Sequence, residues 1–459
     1  MNTYIKFLGC LMAMALLLSC RKYVEDVPIQ GQRVLVYTQD FRYLMDYRDV
    51  FEKAIGLPPV LCSDDVDFTA QVIQDRVVTN LIQRTMYTWG KPFYVDRQSD
   101  YDFDMLYNAN YYCNVVINGV MESKNGLPEA KNTIMGEALV QRAFNFFMLV
   151  NMYAKQYDAA TADKDPGIPI LVKPELLGNL TRHTVKDTYE QILADIRQAI
   201  PLLPNKQLSN TRPSKVAAYA LLSKVYLNMR DFTKAEAFAD STLAISNQLY
   251  DYNIAVAGAT PVFPAQFNEV QILLRKISRT TFSPPQLSQS LLDLLGTKDI
   301  RYQLFVRPGA NFNPAFTGFG YWSRSNYASG DGPALGLSVN ETWLIKAECM
   351  ARAGKKDEAV TMLNTLRKFR FRPADYADLS AATPDAALQL VVDERRREFF
   401  GTGMRWFDQR RLNKDPLLAK TVTRIFNNVT YKLEPNSNGY VFPFASINVT
   451  QNPEIEQNP

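Results

Sequence analysis

The residues that could support enzyme chemistry in this chain are few. Its 459 residues include a single histidine, His183. Zinc sites built on several histidines are therefore excluded, and a Ser-His-Asp triad would have only one possible base. His183 precedes a Thr184-x-x-Asp187 capping pattern, which favours a surface position at the start of a helix. Any catalysis would have to rely on carboxylates.

Carboxylates occur together in the segment LCSDDVDFT, which carries Asp64, Asp65 and Asp67. Three neighbouring carboxylates could ligate calcium, but the segment lacks the glycine and the terminal glutamate of an EF-hand loop. Helix capping and turn formation is the simpler interpretation. We therefore expect no metal site in this segment.

A second charged segment, Glu394-Arg-Arg-Arg-Glu398, has the residue types of a catalytic cluster. Alternating charge on a helix is more typical of a salt-bridged face. A glycosidase would need two carboxylates roughly 5–10 Å apart across a cleft. No motif marks such a pair, and Asp64, Asp65, Asp96 and Glu394 are candidates by residue type alone.

Two segments place aromatic rings beside amides, carboxylates and arginine where helical periodicity is lost. They read YTWGKPFYVDRQSDYDFDMLY and GFGYWSRSNY. A ring face can stack on the C–H face of a sugar while nearby polar groups bind its hydroxyls, so both segments predict sugar-binding loops. The alternative is that Trp89 and Tyr94 seal an edge of the core. The candidate ligand-binding residues are Trp89, Tyr94, Asp96, Asp64, Asp65, Tyr321, Trp322 and Arg324.

A helical hairpin in the range 215–246 is expected to help position such loops. Apolar residues recur there at three- and four-residue steps in two halves, separated by a break at 229–231. Ser223 and Ala235 lie twelve residues apart, where small side chains let two helices approach closely, as in the tetratricopeptide-type pattern. Such a hairpin cannot bury its own apolar face and requires neighbouring helices.

The same spacing recurs in the range 341–370. Ala347 and Ala359 are again twelve residues apart, with Gly354 at the turn. Between the two hairpins, the range 248–340 is rich in proline and glycine, which forbid long helices. A long irregular insertion in a helical protein is typically functional or disordered, and its aromatic richness favours order.

The predicted fold is mostly α: a tetratricopeptide-like scaffold of helical hairpins with a long, loop-rich insertion and a few short strands. The scaffold would comprise residues 33–247 and 341–412, and the insertion residues 248–340. Further expected elements are helices at 36–54, 108–121, 132–153, 185–200 and 385–400, a helix or strand at 71–83, short strands at 271–275 and 304–307, and a loop-rich tail after 412.

The overall composition excludes one class of partner. The formal net charge is only +4, and the sequence contains no dense run of lysine and arginine. Nucleic acid is therefore not an expected partner. With 47% apolar residues, the chain can bury a large core.

The N-terminus predicts export. Residues 1–19 combine a short polar start with the apolar run 7–18, which is too short for a bilayer span of about 20 residues. The run ends in LLSC, which looks like a bacterial lipobox and makes Cys20 the expected lipidation site. Acyl chains there would hold the protein on a membrane through a polar tether at 20–32. An ordinary secretory signal with an incidental cysteine is the alternative.

Three further cysteines, Cys62, Cys113 and Cys349, are an odd number without a C-x-x-C pair. Cys349 falls in an apolar helical stripe and is expected in the core. In an exported protein one disulfide can form, with Cys62–Cys113 as the favoured pair.

Together these segments resemble the SusD/RagB family of outer-membrane lipoproteins of Bacteroidetes. The resemblance covers nearly the whole chain and rests on an ordered set of motifs. They are LLLSC, QRAFNFFMLVNMYAKQY, DPGIPI, RHTVKDTYEQILADIRQAIPLLP, TRPSKVAAYALLSKVYLNMRDFTKAEAFADS, NETWLIKAECMARAG, ERRREFFGTGMRWFDQRR and the Asn-Pro-rich C-terminus. Thr211 and Pro213 stand where the family commonly has glycine and alanine, and the N-terminal third matches weakly outside QRAFNFF.

The resemblance implies a single SusD-like domain at 33–459, lipid-anchored through Cys20 and exposed on the outer membrane. It would capture oligosaccharides and act as the lid of a SusC-like TonB-dependent transporter. Family members are not enzymes and carry no obligatory cofactor. In the best-known member the sugar site is an arc of aromatics from an early loop and from the irregular insertion, and the matching loops here would be those of Trp89 and of Tyr321–Trp322.

Two other functions remain open. Some relatives are associated with peptide uptake, and helical repeats commonly hold peptides, so a peptide-binding member of the same uptake system is the main alternative. A surface glycosidase is the other. If the glycan hypothesis is right, Trp89→Ala or Trp322→Ala should weaken oligosaccharide binding and leave the fold intact.

Overall fold

The computed structural model describes residues 35–459 except 177, 259, 267–268, 279–284, 319 and 328–330. The expected signal peptide at 1–19, the lipidation site Cys20 and the tether at 20–32 lie outside the described residues. Within them, no helix combines the length and apolar character needed to pass through a bilayer. The predicted fold class is confirmed, because eighteen α-helices dominate the described chain and its strands are few and short.

The helices and strands follow one another along the chain in three groups. Before the insertion the helices are α1 (Thr38–Met45), α2 (Arg48–Phe51), α3 (Pro58–Cys62), α4 (Gln71–Val78), α5 (Leu81–Tyr87), α6 (Tyr101–Gly119), α7 (Pro128–Tyr153), α8 (Val185–Ala199), α9 (Lys215–Asn228) and α10 (Phe232–Ile245). The insertion contains α11 (Tyr252–Ala255), β1 (Ile272–Leu274), α12 (Gln289–Leu295), α13 (Ile300–Phe305), β2 (Val306–Pro308), β3 (Gly320–Trp322) and β4 (Leu337–Ser338). After it come α14 (Val339–Arg352), α15 (Lys356–Lys368), α16 (Pro384–Phe399), α17 (Met404–Leu412), β5 (Val422–Phe426), β6 (Val429–Leu433) and α18 (Ser446–Gln451).

The first hairpin, α9 and α10, forms where the sequence predicts it. Ser214 caps α9, because its side chain accepts a hydrogen bond from Ala217 N. Ser223 Oγ donates to the carbonyl oxygen of Ala235 at 2.9 Å, and both residues are fully buried. The two helices can approach this closely because neither position carries a large side chain.

Replacing Ala235 by leucine should destabilise the protein, because no space between α9 and α10 can accept the added carbons. We expect the free energy of unfolding, measured by urea denaturation, to fall by about 1–3 kcal/mol. Ala237, on the exposed face of the same helix, supplies the matched control, and Ala237→Leu should change the stability by less than about 0.5 kcal/mol. Equal losses in both variants would contradict close packing of the hairpin.

The second hairpin, α14 and α15, packs against the first. Helix α14 lies on α10 and also contacts α16. Ala347 and Ala359 are fully buried between α14 and α15, as their spacing predicts. A buried ion pair between Lys224 Nζ and Glu341, 3.0 Å apart, joins α9 to α14. The insertion is therefore built on a stack of paired helices.

Several element boundaries differ from the prediction. The expected helix at 36–54 is divided into α1 and α2. Helix α6 begins at Tyr101 instead of near 108, because the Asp100 carboxylate accepts hydrogen bonds from the first backbone N–H groups and so caps the helix. The range 71–83, for which a helix or a strand is expected, contains α4 and the first turn of α5, with a break at 79–80.

The tail after α17 is rich in loops, as predicted, but it also contains a β-hairpin that was not predicted from the sequence. Strands β5 and β6 form an antiparallel hairpin joined by Asn427 and Asn428, whose φ angles are 48° and 60°. Asparagine tolerates this left-handed backbone, which a tight two-residue hairpin turn requires. Alternating residue types after Asn-Asn, in Val429–Leu433, are the signal that would have identified it.

The three cysteines within the described residues are free and buried, so the Cys62–Cys113 disulfide is not formed. The physical reason is their separation. Cys62 packs in the main core, where its thiol donates to the carbonyl oxygen of Met86, and Cys113 packs in a smaller cluster beneath α1 and α2. Burial raises the pKa of Cys113 to about 12, which makes its thiol unreactive.

His183 lies on the surface, directly before α8, as predicted. The capping pattern after it is formed: Asp187 N donates to Thr184 Oγ1 at 3.0 Å, and Thr184 N donates to the Asp187 carboxylate at 3.2 Å. The single histidine is therefore part of a helix start.

Candidate functional site

The loop after α3 holds the two acidic candidates, Asp64 and Asp65, in ion pairs. Arg405 binds both carboxylate oxygens of Asp64 at 2.7 and 2.9 Å, and Arg396 donates to Asp65 at 2.7 Å. Burial alone would raise the pKa of Asp64. The Arg405 and Arg396 guanidinium groups outweigh this effect and hold the pKa well below its usual range. These carboxylates tie the loop to α16 and α17, and they do not offer free oxygens to a ligand.

Asp67, the third acid of this loop, accepts a hydrogen bond from the Tyr87 hydroxyl at 2.8 Å. In the described part of the chain no three acids, cysteines or histidines converge in an arrangement that could hold a metal ion. The segment functions as a turn cross-linked to the helical scaffold.

Trp89 is placed in the interior. Its indole N–H donates to the carbonyl oxygen of Cys62 at 2.9 Å, and the Arg424 guanidinium lies 4.5 Å from the ring centroid. Only 9% of the residue is exposed. The interpretation in which Trp89 seals an edge of the core therefore fits the structure, and its ring face is not available to a sugar.

Tyr94 is buried in the same loop, and burial beside Asp100 raises the pKa of its hydroxyl. The third candidate from this loop, Asp96, is exposed. The early loop thus offers one surface carboxylate and no surface aromatic ring among its three candidates.

The candidate residues of the insertion also differ in how far they are buried. Tyr321 is fully buried and stacks on Phe316 with 5.6 Å between ring centroids. Trp322 is half-buried, and Arg324 is exposed. Of the two aromatic candidates here, only Trp322 reaches the surface, because neighbours in a strand point to opposite faces.

Next to Trp322 the insertion forms an open groove of about 670 Å³, called here the insertion groove. It lies between α12, α13 and the β2–β3 hairpin. Its lining residues are Gln289, Leu292, Asp293, Gly296, Thr297, Tyr302, Val306, Arg307, Pro308, Gly318 and Gly320. Trp322 lies directly opposite Val306 in the hairpin register.

The groove combines one half-buried aromatic residue with hydrogen-bond donors and acceptors. Tyr302 is half-buried and lines the groove, and Gln289 donates to the Asp293 carboxylate at 2.7 Å. Arg307 fixes one guanidinium nitrogen on the carbonyl oxygens of Gln303 and Val306. A ring for stacking beside an amide, a carboxylate and a guanidinium group suits a polyhydroxylated ligand.

Sequence reasoning did not identify Tyr302, Gln289, Asp293 or Arg307. They lie on two short helices and a strand that no periodicity marks, and they converge only after the insertion folds. The single available signal was that Arg307 is the last residue of the strand expected at 304–307. That strand is formed at 306–308 and carries Arg307 at its centre.

A buried ion-pair cluster anchors α13, the helix that carries Tyr302. Arg301, one residue before Tyr302, contacts Asp299 at 2.6 Å, Glu394 at 2.7 Å and Glu398 at 2.8 Å. Despite the opposing effect of burial, Arg301 and neighbouring arginines lower the pKa of Glu394 to about 2. The ERRRE segment is salt-bridged, as interpreted from the sequence, but Glu394 and Glu398 are in the interior and do not form a solvated face.

Trp322 rests on a backbone position that only glycine can occupy. Gly401, just after α16, has φ +75°, and a Cβ atom built there would collide with the Trp322 indole. The absence of a side chain at 401 thus sets how deeply the tryptophan sits beside the groove.

Gly401→Ala is expected to displace the Trp322 ring, since both the positive φ and the collision disfavour alanine. Strain of about 1–3 kcal/mol should appear as lower stability, and the tryptophan fluorescence spectrum should shift as the indole moves toward solvent. Gly354 has a similar φ of +82°, and nothing lies within 4 Å of the position that a Cβ atom would take there. Gly354→Ala therefore reproduces the backbone strain without the collision, and the fluorescence should stay unchanged. A shift in both variants, or in neither, would contradict the assigned contact.

Comparison with known proteins supports a family assignment. A family model described as "Starch-binding associating with outer membrane" matches residues 61–227, and one described as "SusD family" matches residues 339–459. A curated relative, SusD-like protein P2 from Formosa agariphila, is 34% identical over 106 residues. That match spans 23% of this chain and only 19% of the relative.

Solved structures share the whole fold. A SusD superfamily protein from Bacteroides thetaiotaomicron superimposes with a TM-score of 0.73 at 20% identity, covering 92% of this chain and 100% of that one. A putative sugar binding protein from Bacteroides vulgatus gives 0.69 at 18% identity, covering 93% and 99%. A protein described as "Laminarin binding SusD-like protein" gives 0.61 at 16% identity, covering 92% and 99%.

The chain belongs to the SusD/RagB family. The two family models match separate parts of the chain in the expected order, and the solved members of the SusD superfamily reproduce its helical stack from end to end. At these identities the structural likeness establishes the fold alone.

Proposed function

We propose that this protein is a cell-surface glycan-binding lipoprotein that captures oligosaccharides in the insertion groove. The observation that carries the proposal is the groove itself, in which Tyr302 is surrounded by Gln289, Asp293 and Arg307. The family model described as starch-binding and the structural neighbour described as laminarin-binding support a glucan-type ligand class. Trp322 and the exposed Arg324 extend the proposed contact surface beyond the groove.

Delivery of the ligand to a SusC-like TonB-dependent transporter is part of the same proposal. Membership of a family associated with the outer membrane supports it. The protein would be lipid-anchored through Cys20 and would cover the transporter as a lid. The described residues would form one SusD-like domain, with the groove carried by the insertion at 248–340 and the helical hairpins as its support.

The acids at the insertion groove favour binding without hydrolysis. Glycoside hydrolysis requires one carboxyl group that is protonated near neutral pH and a second one across the cleft. Asp64 and Glu394 are held ionised by arginines, and neither lines the insertion groove. Asp293 is the single carboxylate among the described residues that line the groove.

A binding survey tests the proposal against both alternatives. The purified protein without its signal peptide is applied to an immobilised oligosaccharide panel and, separately, to a peptide panel. We expect selective binding to one oligosaccharide class and recovery of the bound oligosaccharide at its original length. Binding confined to peptides would replace the glycan proposal with the peptide-uptake alternative, and shortened products would establish a glycosidase.

A further inference from the structure

A second cavity lies away from the groove, between β1, β4 and the C-terminal end of α16. It has a volume of about 60 Å³ and is called here the acceptor cavity. A volume of this size holds one or two water-sized species and is too small for a sugar ring. Its aromatic lining residues are Tyr252, Phe263, Phe305, Tyr327, Phe399 and Phe400.

Two residues that line this cavity, Gln266 and Asn340, each have a buried amide oxygen without a hydrogen-bond partner among the described residues. Gln266 Nε2 donates to the Gly332 carbonyl at 2.7 Å, and Asn340 Nδ2 donates to Glu398 Oε1 at 2.7 Å. These bonds settle which end of each amide is nitrogen. The remaining oxygens, Gln266 Oε1 and Asn340 Oδ1, are buried without a hydrogen-bond partner among the described residues, and the two side chains belong to residues that are 1% and 5% exposed.

Glu269 adds a buried carboxylate without a cation. It accepts a hydrogen bond from Gln271 Nε2, and no lysine or arginine of the described residues forms an ion pair with it. The nearest guanidinium, that of Arg370, is occupied by Glu398 at 2.6 Å and stacks on Tyr252. The third lining acid, Glu341, is paired with Lys224 and Arg395.

Three groups at the cavity therefore require a donor or a positive charge: one carboxylate and two amide oxygens. An unpaired buried acceptor costs roughly 1–3 kcal/mol, and an unpaired buried charge costs more. Aromatic ring faces also attract cations, most strongly where water is excluded. All of these features favour a cation as the occupant.

We propose that the acceptor cavity binds one monovalent cation, with Glu269, Gln266 Oε1 and Asn340 Oδ1 among its ligands. A single carboxylate without an ion-pair partner matches a single positive charge. Calcium, by contrast, is typically held by several carboxylates. Sodium, potassium and ammonium share the required chemistry, and the experiment distinguishes them.

The position of the site suggests what the cation does. Gln266 and Glu269 lie in the loops of the insertion, whereas Asn340 lies in the first turn of α14, the helix that leads from the insertion back into the scaffold. A cation shared by these residues would fasten the insertion to the scaffold. This inference does not depend on the ligand of the groove, which is lined by different residues.

Thermal unfolding of the mature protein in matched chloride salts provides the first test. The melting temperature in sodium, potassium or ammonium chloride is compared with that in N-methyl-D-glucamine chloride and in calcium chloride at equal ionic strength. We expect at least one monovalent cation to raise the melting temperature by about 2 °C over the large organic cation. Equal melting temperatures in all salts, or stabilisation by calcium alone, would overturn the proposal.

The isosteric variant Glu269→Gln removes the charge and should abolish the dependence on the monovalent cation. Glu358→Gln, at an exposed position of α15, is the matched control and should retain it. Anomalous diffraction from wild-type crystals soaked in rubidium chloride locates the ion directly, so the proposal remains testable if Glu269→Gln does not fold. A peak beside Gln266 Oε1 and Asn340 Oδ1 supports the site. A cavity holding only water, with Glu269 protonated because burial raises its pKa to about 7, refutes it.

Discussion

Tyr302→Ala is expected to weaken oligosaccharide binding more than any other single change in the insertion groove. The tyrosine is the only aromatic residue among the described residues that line the groove, and it is half-buried there. Truncating a central aromatic anchor of a binding site costs about 2 kcal/mol or more, which exceeds a tenfold rise in Kd. Isothermal titration with the oligosaccharide selected by the panel measures the change.

Two comparisons separate a direct contact from a general effect. Tyr43→Ala removes a tyrosine that is 60% exposed on α1, outside the groove, and should leave Kd unchanged. Trp322→Ala should also weaken binding, whereas Trp89→Ala should lower the stability first, because its ring is packed in the core. A Kd for Tyr302→Ala equal to that of the wild type, with an unchanged melting temperature, would remove Tyr302 from the site.

Arg301→Met should produce the largest loss of stability. The guanidinium group is 1% exposed and contacts Asp299, Glu394 and Glu398. In the variant, Glu394 still forms ion pairs with Arg367 and Arg397, and Glu398 still forms one with Arg370. Asp299, by contrast, loses its ion pair with Arg301. Breaking a buried pair from one side costs about 3–5 kcal/mol, which urea denaturation would detect as a lower midpoint. Arg324→Met, at an exposed position, should change the stability by less than about 0.5 kcal/mol.

The pH dependence of the same variant has a definite sign. Burial already raises the pKa of Asp299, and removal of its cation raises it further. A carboxyl group with a raised folded-state pKa destabilises the fold as pH rises, so Arg301→Met should be less destabilised at pH 5 than at pH 8. In the wild type, the pKa of Glu394 is about 2 and lies below the usual unfolded value, so its stabilising contribution is lost only as pH falls through that range. An equal deficit of the variant at both pH values would contradict an uncompensated Asp299.

The helical scaffold could be predicted because its determinants are local and periodic. Ser223 and Ala235, and again Ala347 and Ala359, are small because two helices cross there, and this requirement is visible in spacing alone. The same holds for the ion pairs of the ERRRE segment, although their burial could not be foreseen. Whether a charged helix face meets water or arginines from other elements depends on tertiary packing.

The site could be predicted only as a region. Residue type does not reveal exposure, and Trp89 and Tyr321 turn inward although the loops around them are rich in polar groups. Tyr302 and Arg307 come together with Gln289 through the packing of two short helices on a hairpin, which no sequence period encodes. Proline and glycine interrupt the range 248–340 visibly in the sequence, and the groove that we propose as the binding site lies within that range.

A crystal structure of the protein with the oligosaccharide selected by the binding survey tests the proposed binding site most directly. We expect a sugar ring stacked on Tyr302, with hydroxyl groups within hydrogen-bond distance of Gln289, Asp293 or Arg307, and further units extending toward Trp322. Ligand density along the hairpins α9–α10 or α14–α15, with the insertion groove left to solvent, would contradict it.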